Sequence, residues 1–170
     1  MVALLMEGVV ACFIVLINCV VGIADSPVRM VFLYEKEVQQ RLIAHGITTK
    51  ERIDRDKRNF LLFGILPFFV FVLLAVYGFN GARGFWSGFW QMCVILLIEG
   101  LFDRLFIDGW WVGKTKAWII PETEDLMPYI PAQTRSLKWK ITLIGYPVIA
   151  AVLAGIMLLI TVLCDVISQI

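Results

Sequence analysis

The chain has 170 residues, 60% of them apolar and 17% charged, with 15 Lys and Arg against 14 Asp and Glu. Soluble domains average about 45–50% apolar and 25% charged residues, so this composition points to a membrane protein. The balanced charge excludes the basic surplus of a nucleic-acid binder; one histidine excludes a His-rich metal site, and the four cysteines show neither CxxC spacing nor secreted-style density.

Crossing about 30 Å of hydrocarbon takes roughly 20 mostly apolar residues. Four stretches meet that requirement: residues 2–24, 60–79, 90–107 and 141–164. They are continuous apolar runs, not the alternating segments of an outer-membrane barrel, so each is read as a helix. The expected fold is all-α, a single polytopic membrane domain with four transmembrane helices and a cytoplasmic amphipathic helix. The first stretch has no basic leader region and no small-x-small cleavage site, and is read as a helix of the mature protein.

Orientation follows Lys and Arg. Connection 25–59 holds eight of them and connection 108–140 five, so thirteen of fifteen fall on one side, assigned to the cytoplasm. Both termini and the Asn80-Gly81-Ala82-Arg83-Gly84 turn then face outward from the cell membrane, read as a bacterial inner membrane.

The first connection reads as a helical hairpin. Ser26 caps it, Pro27 fits the first turn and Gly46 stops it. Val31, Tyr34, Val38 and Leu42 recur at helical spacing and form one apolar face, suited to the inner leaflet or to other cytoplasmic parts. Thr48 and Glu51 have capping-box spacing, from which a charged helix is expected to run into the second span. Lys50 to Arg58 reads mainly as a solvated face and topology anchor, with contact to anionic headgroups as the sharper reading. His45 falls at a helix end as a capping or surface group.

Within the third span, Trp90 and Trp110 stand twenty residues apart, about 30 Å of helix. If they mark the two interfaces, Glu99 lies near mid-bilayer and Asp103 and Arg104 lie in the inner half. A charge at mid-bilayer costs at least ~2.5–3.5 kcal/mol, so these side chains are expected to face the bundle interior. Glu99 and Asp103 share a face, and Arg104 and Asp108 share the adjacent one. Two carboxylates so close cannot both ionise cheaply; one holds a proton or a cation sits between them. Depth bookkeeping adds Asn18, Tyr146 and the Phe63 carbonyl that Pro67 releases. The candidate pocket is therefore Glu99, Asp103, Arg104, Asn18 and Tyr146, opening to the cytoplasm. The bland reading has Arg104 neutralising Asp103 or Asp108 while Glu99 stays protonated.

The second connection carries Trp110, Trp111 and Trp118 among glycines and lysines, then Pro121, Pro128 and Pro131, which preclude one long helix. Interfacial packing is its plain reading, and a lid over the pocket its sharper one. Gly113-Lys114-Thr115 lacks the upstream glycine spacing of a phosphate loop. In the fourth span Ala151 and Gly155 form a small-xxx-small pair. Cys12, Cys19, Cys93 and Cys164 read as packing residues, and Glu7 and Asp165 as solvated groups near outer helix ends.

Leu101-Phe102-Asp103-Arg104-Leu105 is similar to the Asp-Arg segment of lipoprotein signal peptidases, four-helix aspartyl enzymes. Their second aspartate, in a Val-Val-Asp-Phe context, has no counterpart here and their termini are cytoplasmic, so that family is rejected. Over Asn80 to Trp86, Glu99 to Asp108 and Lys116 to Pro121 the chain resembles small bacterial four-helix integral membrane proteins, a resemblance that implies a fold and no chemistry. Three functions compete on these residues. The first is an acidic intramembrane pocket that binds or moves a cation, a proton or a cationic small solute. The second is a structural or accessory subunit. The third is an inner-leaflet enzyme on a lipid-linked substrate, with Glu99 or Asp103 as acid/base and Arg104 as phosphate clamp. No cofactor is expected, and the pattern specifies no metal. The expected partners are the lipid bilayer and a second copy or a partner membrane subunit, not nucleic acid.

Overall fold

The computed structural model describes residues 1–168. Among the described residues every regular element is helical. Five main helices follow in order: α1 (Val2–Ile23), α2 (Lys36–Ala44), α3 (Lys50–Phe79), α4 (Gly84–Phe102, continued by Asp103–Val112) and α5 (Ala132–Ile167). Short 3₁₀ turns at Pro27–Leu33 and Glu124–Leu126 punctuate the two long connections.

Three helices, α1, α3 and α5, are long and apolar enough to cross a membrane. Their outward faces carry exposed apolar side chains, among them Phe13 and Ile17 on α1, Phe63 and Leu66 on α3, and Val148 and Val152 on α5. A soluble protein buries such a continuous belt; lipid solvates it. The helix that holds the expected third span, α4, is not among those three. It carries Gln91, Glu99, Asp103, Arg104 and Asp108, and it is the central element, with α1 and α5 packed along it and α3 against both α1 and α4. It starts six residues before residue 90 and runs past 107 to Val112, while the fourth expected span is preceded by a helical extension from Ala132.

Close approach to α4 depends on small residues. A methyl group on Gly8 would meet the Ile98 side chain at 2.7 Å, and one on Gly100 would meet Thr142 and Tyr146 at 2.7 Å. On α5 the packing pair is Ala150 and Ala154, both fully buried, not Ala151 and Gly155; a side chain on Gly155 would meet nothing. The spacing was right and the face one residue off, which apolarity all round the helix conceals.

Wide, π-type turns interrupt the long helices at Leu61–Ile65 and Leu74–Phe79 in α3, Asp103–Val112 in α4 and Ile141–Gly145 in α5. In α3 and α5 a proline follows two residues later, Pro67 and Pro147. Proline lacks an N–H and its ring collides with the carbonyl four residues back. The widened turn relieves that collision, as where Leu66 N–H bonds to the Leu61 carbonyl five residues back and Tyr146 N–H to Ile141.

The two connections expected on one side do meet. Residues from 24–49 and 113–131 form a second core around Val31, Val38, Leu42, Trp118, Ile120 and Tyr129. We call this the cap. The apolar face read from Val31, Tyr34, Val38 and Leu42 is buried here, against other parts of the chain and not against a leaflet. The single helix expected from Pro27 to Gly46 is broken at Tyr34, whose backbone is extended before α2 begins. Ser26 does cap, its hydroxyl accepting from Val28 N–H at 3.2 Å. The cap residue of α3 is Thr49, which accepts from Arg52 N–H at 3.3 Å; Thr48 is buried, so the cap falls one residue later than expected and Arg52, not Glu51, holds the third position of the box. The Tyr34 hydroxyl donates to the Trp118 carbonyl at 3.1 Å and its ring stacks on Tyr129 at 4.8 Å. Arg41 reaches Asp125 at 2.9 Å, His45 ends α2 and pairs with Glu122, and Thr134 donates to Glu35 at 2.5 Å. Trp118 is thus 2% exposed inside the cap, where an interfacial position was expected; Trp110 stays half exposed. At the opposite end, Asn80 in the glycine-rich turn donates to Glu7 at 2.9 Å, where bulk solvation was expected for Glu7.

Candidate functional site

Beneath the cap lies a cavity of about 410 Å³. All five residues of the sequence-derived pocket, Glu99, Asp103, Arg104, Asn18 and Tyr146, line it. Three π-type turns adjoin it: Gly64 and Ile65 belong to the one in α3, Asp103 to Val112 include five lining residues of α4, and Tyr146 follows the one in α5. Such insertions rotate the side chains beyond them relative to a regular helix, and they recur at functional sites. Pro67 and the Phe63 carbonyl do not join the cavity; Phe63 borders a neighbouring groove.

The charges are arranged differently from the expected Glu99–Asp103 pair. Arg104 Nη2 binds Asp103 Oδ2 and Arg104 Nη1 binds Asp108 Oδ2, so one guanidinium bridges both aspartates. Lys138 adds a second cation, its Nζ at 2.9 and 3.0 Å from the two oxygens of Asp108. The Arg104, Asp108 and Asp103 side chains are only 9, 11 and 18% exposed, which places this network in a low-dielectric setting. Two carboxylates thereby face two cations, and the four groups balance.

Glu99 stands outside that balance. It is 3% exposed, and its Oε2 has no hydrogen-bond partner among the described residues. Tyr146 lies beside it, and Gly100 makes the approach possible, since any side chain there would strike the Tyr146 ring. Two more buried polar atoms on lining residues, Arg104 Nε and Trp118 Nε1, also lack partners. The rest of the wall is largely apolar and aromatic, including Phe60, Phe68, Phe69 and Ile130. Volume and lining match a small-molecule site: mostly apolar, with a few convergent polar groups.

Sequence reasoning missed Lys138, counted only as a topology signal, and the cap residues Tyr34 and Trp118, which roof the cavity. The second connection, whose sharper reading was a lid over the pocket, contributes Trp118 and Ile130 to the cavity wall. An adjoining groove of about 290 Å³ shares Asn18, Phe60 and Gly64 with the cavity, so the two spaces abut between α1 and α3. The helices pack closely at that boundary: a methyl group on Gly64 would sit 3.3 Å from Asn18 Oδ1. Among the described residues no group of three or more His, Cys, Asp or Glu side chains converges as metal ligands. No protein-family model, curated protein or solved structure matches the chain, so the site stands on its geometry alone.

Proposed function

We propose that the chain is a four-span membrane protein whose cavity binds a small solute with an apolar body and a protonated amine or other monocationic head. The observation that carries this reading is Glu99, a buried carboxyl with an unpartnered oxygen beside a self-balanced network. A buried carboxylate needs a counter-charge or a proton; an entering cation supplies the first, and the empty state keeps the second. One carboxyl that makes no ion pair among the described residues matches one positive charge. A multivalent metal ion would need further oxygen ligands, and Asp103 and Asp108 are already committed. The aromatic wall takes up the apolar body and adds cation–π attraction.

In this arrangement α4 crosses the membrane as the third span, enclosed by α1 and α5. Both termini face outward, and the cap, α2 included, lies on the cytoplasmic side, where thirteen of fifteen Lys and Arg residues collect. Solute enters beside Asn18 and Gly64. The accessory-subunit reading draws on the internal neutrality of the Arg104 network, which locks α4 to α5 through Lys138 whether or not anything binds.

The test is titration of the purified protein with alkylammonium ions and their neutral alcohol counterparts, followed by tryptophan fluorescence, since Trp118 lines the cavity. The ammonium ion binds more tightly than the alcohol, and Glu99→Gln abolishes that preference while leaving the apolar contribution. Equal binding of the two by the native chain overturns the proposal.

A further inference from the structure

Behind the charged network, on the side away from the cavity, lies a second recess of about 260 Å³. Arg104 and Asp108 line both spaces and so form the partition between them. The outer recess is bounded by Lys114 and Arg135, both exposed and in no ion pair among the described residues, and by Trp110 and Trp139. Three cations against one carboxylate leave it positive.

We infer that this recess holds the phosphate headgroup of an anionic phospholipid. Charge favours an anion, and two unpaired donors of different geometry, the Lys114 ammonium and the Arg135 guanidinium, fit phosphate oxygens. Position favours a lipid over a free ion. The recess sits where α4 ends and where α5 begins its apolar run, and Trp110 is half exposed beside Leu105, which is 63% exposed. Tryptophans take up the headgroup level, so acyl chains leaving the recess descend along Leu105 and Leu137, both apolar and exposed. Lys50 to Arg58 forms no comparable recess: its arginines and lysines are interleaved with Glu51, Asp54 and Asp56 along one helix.

The experiment is native mass spectrometry of the full chain released from a neutral detergent, titrated with short-chain phosphatidylglycerol, short-chain phosphatidylcholine or inorganic phosphate. A Lys114→Gln/Arg135→Gln double variant is compared with a Lys50→Gln/Lys57→Gln control; all four positions are exposed. Phosphatidylglycerol binds the native chain better than phosphatidylcholine, and the first double variant loses about thirtyfold in affinity, as two basic residues at the headgroup level imply. The control retains native affinity. Equal phosphatidylglycerol affinity in native chain and first variant, the same loss in the control, or displacement by inorganic phosphate at matching concentration each overturns the inference.

Discussion

Replacing Arg104 with Gln tests whether the charged network is one buried unit. The guanidinium contacts Asp103 through one nitrogen and Asp108 through another, and its side chain is 9% exposed. Without it Asp103 loses its partner, and Asp108 keeps only Lys138. Breaking a buried pair by removing one partner costs about 3–5 kcal/mol, against about 0.2–1 kcal/mol for an exposed pair. The expected loss for Arg104→Gln is therefore about 3–5 kcal/mol. Adding Asp103→Asn leaves Asp108 and Lys138 as a matched pair, so the double variant should recover about half of that loss or more. Reversible unfolding in detergent, read by tryptophan fluorescence, measures each variant and closes the cycle. A loss below about 1 kcal/mol, or no recovery in the double variant, would refute the reasoning, because either result means water already screens these groups.

Further outcomes follow from the packing and the cap. Gly100→Val drives a side chain into Thr142 and the Tyr146 ring, and should cost about 1–3 kcal/mol in the same unfolding assay. Trp118→Ala removes the largest fully buried side chain, and should cost about 3–5 kcal/mol and raise amide exchange across α2 and residues 119–131. Burial, then the neighbouring Tyr129, pushes the Tyr34 phenol above its ordinary value of about 10. A raised acid adds stability that is whole below that value and is lost as pH rises beyond it. The cap should therefore loosen above about pH 10, and Tyr34→Phe should shrink that alkaline step in circular dichroism.

Much of the architecture was legible because its signals are long. Twenty-residue apolar runs, the Asn80–Gly84 turn and the one-sided Lys and Arg need no tertiary information. Charge inside an apolar span picked out Glu99, Asp103 and Arg104, since such a charge must turn inward, and depth added Asn18 and Tyr146, which line the same cavity, and Pro67, which does not. Partner choice was legible only as one of two alternatives, the plainer of which had Arg104 neutralising Asp103 or Asp108. Glu99 and Asp103 look paired at regular helical spacing, but the wide turn from Asp103 onward re-aims the residues that follow, and Arg104 takes both aspartates. Lys138 reads as a cytoplasmic anchor until α5 is seen to begin at Ala132 and bring it over Asp108. The cap's core was half visible, since the apolar face of α2 showed in its spacing while its partner, an irregular proline-broken segment, has no period to read.

Carbodiimide labelling separates the three carboxyls most directly. A hydrophobic carbodiimide reacts with a protonated carboxyl in an apolar setting, and peptide mass mapping locates the adduct. The account predicts modification at Glu99, slowed by a bound alkylammonium ion, with Asp103 and Asp108 untouched while Arg104 and Lys138 hold them. Labelling at Asp103 or Asp108 in preference to Glu99, or at Glu99 with no protection by the ammonium ion, would contradict it.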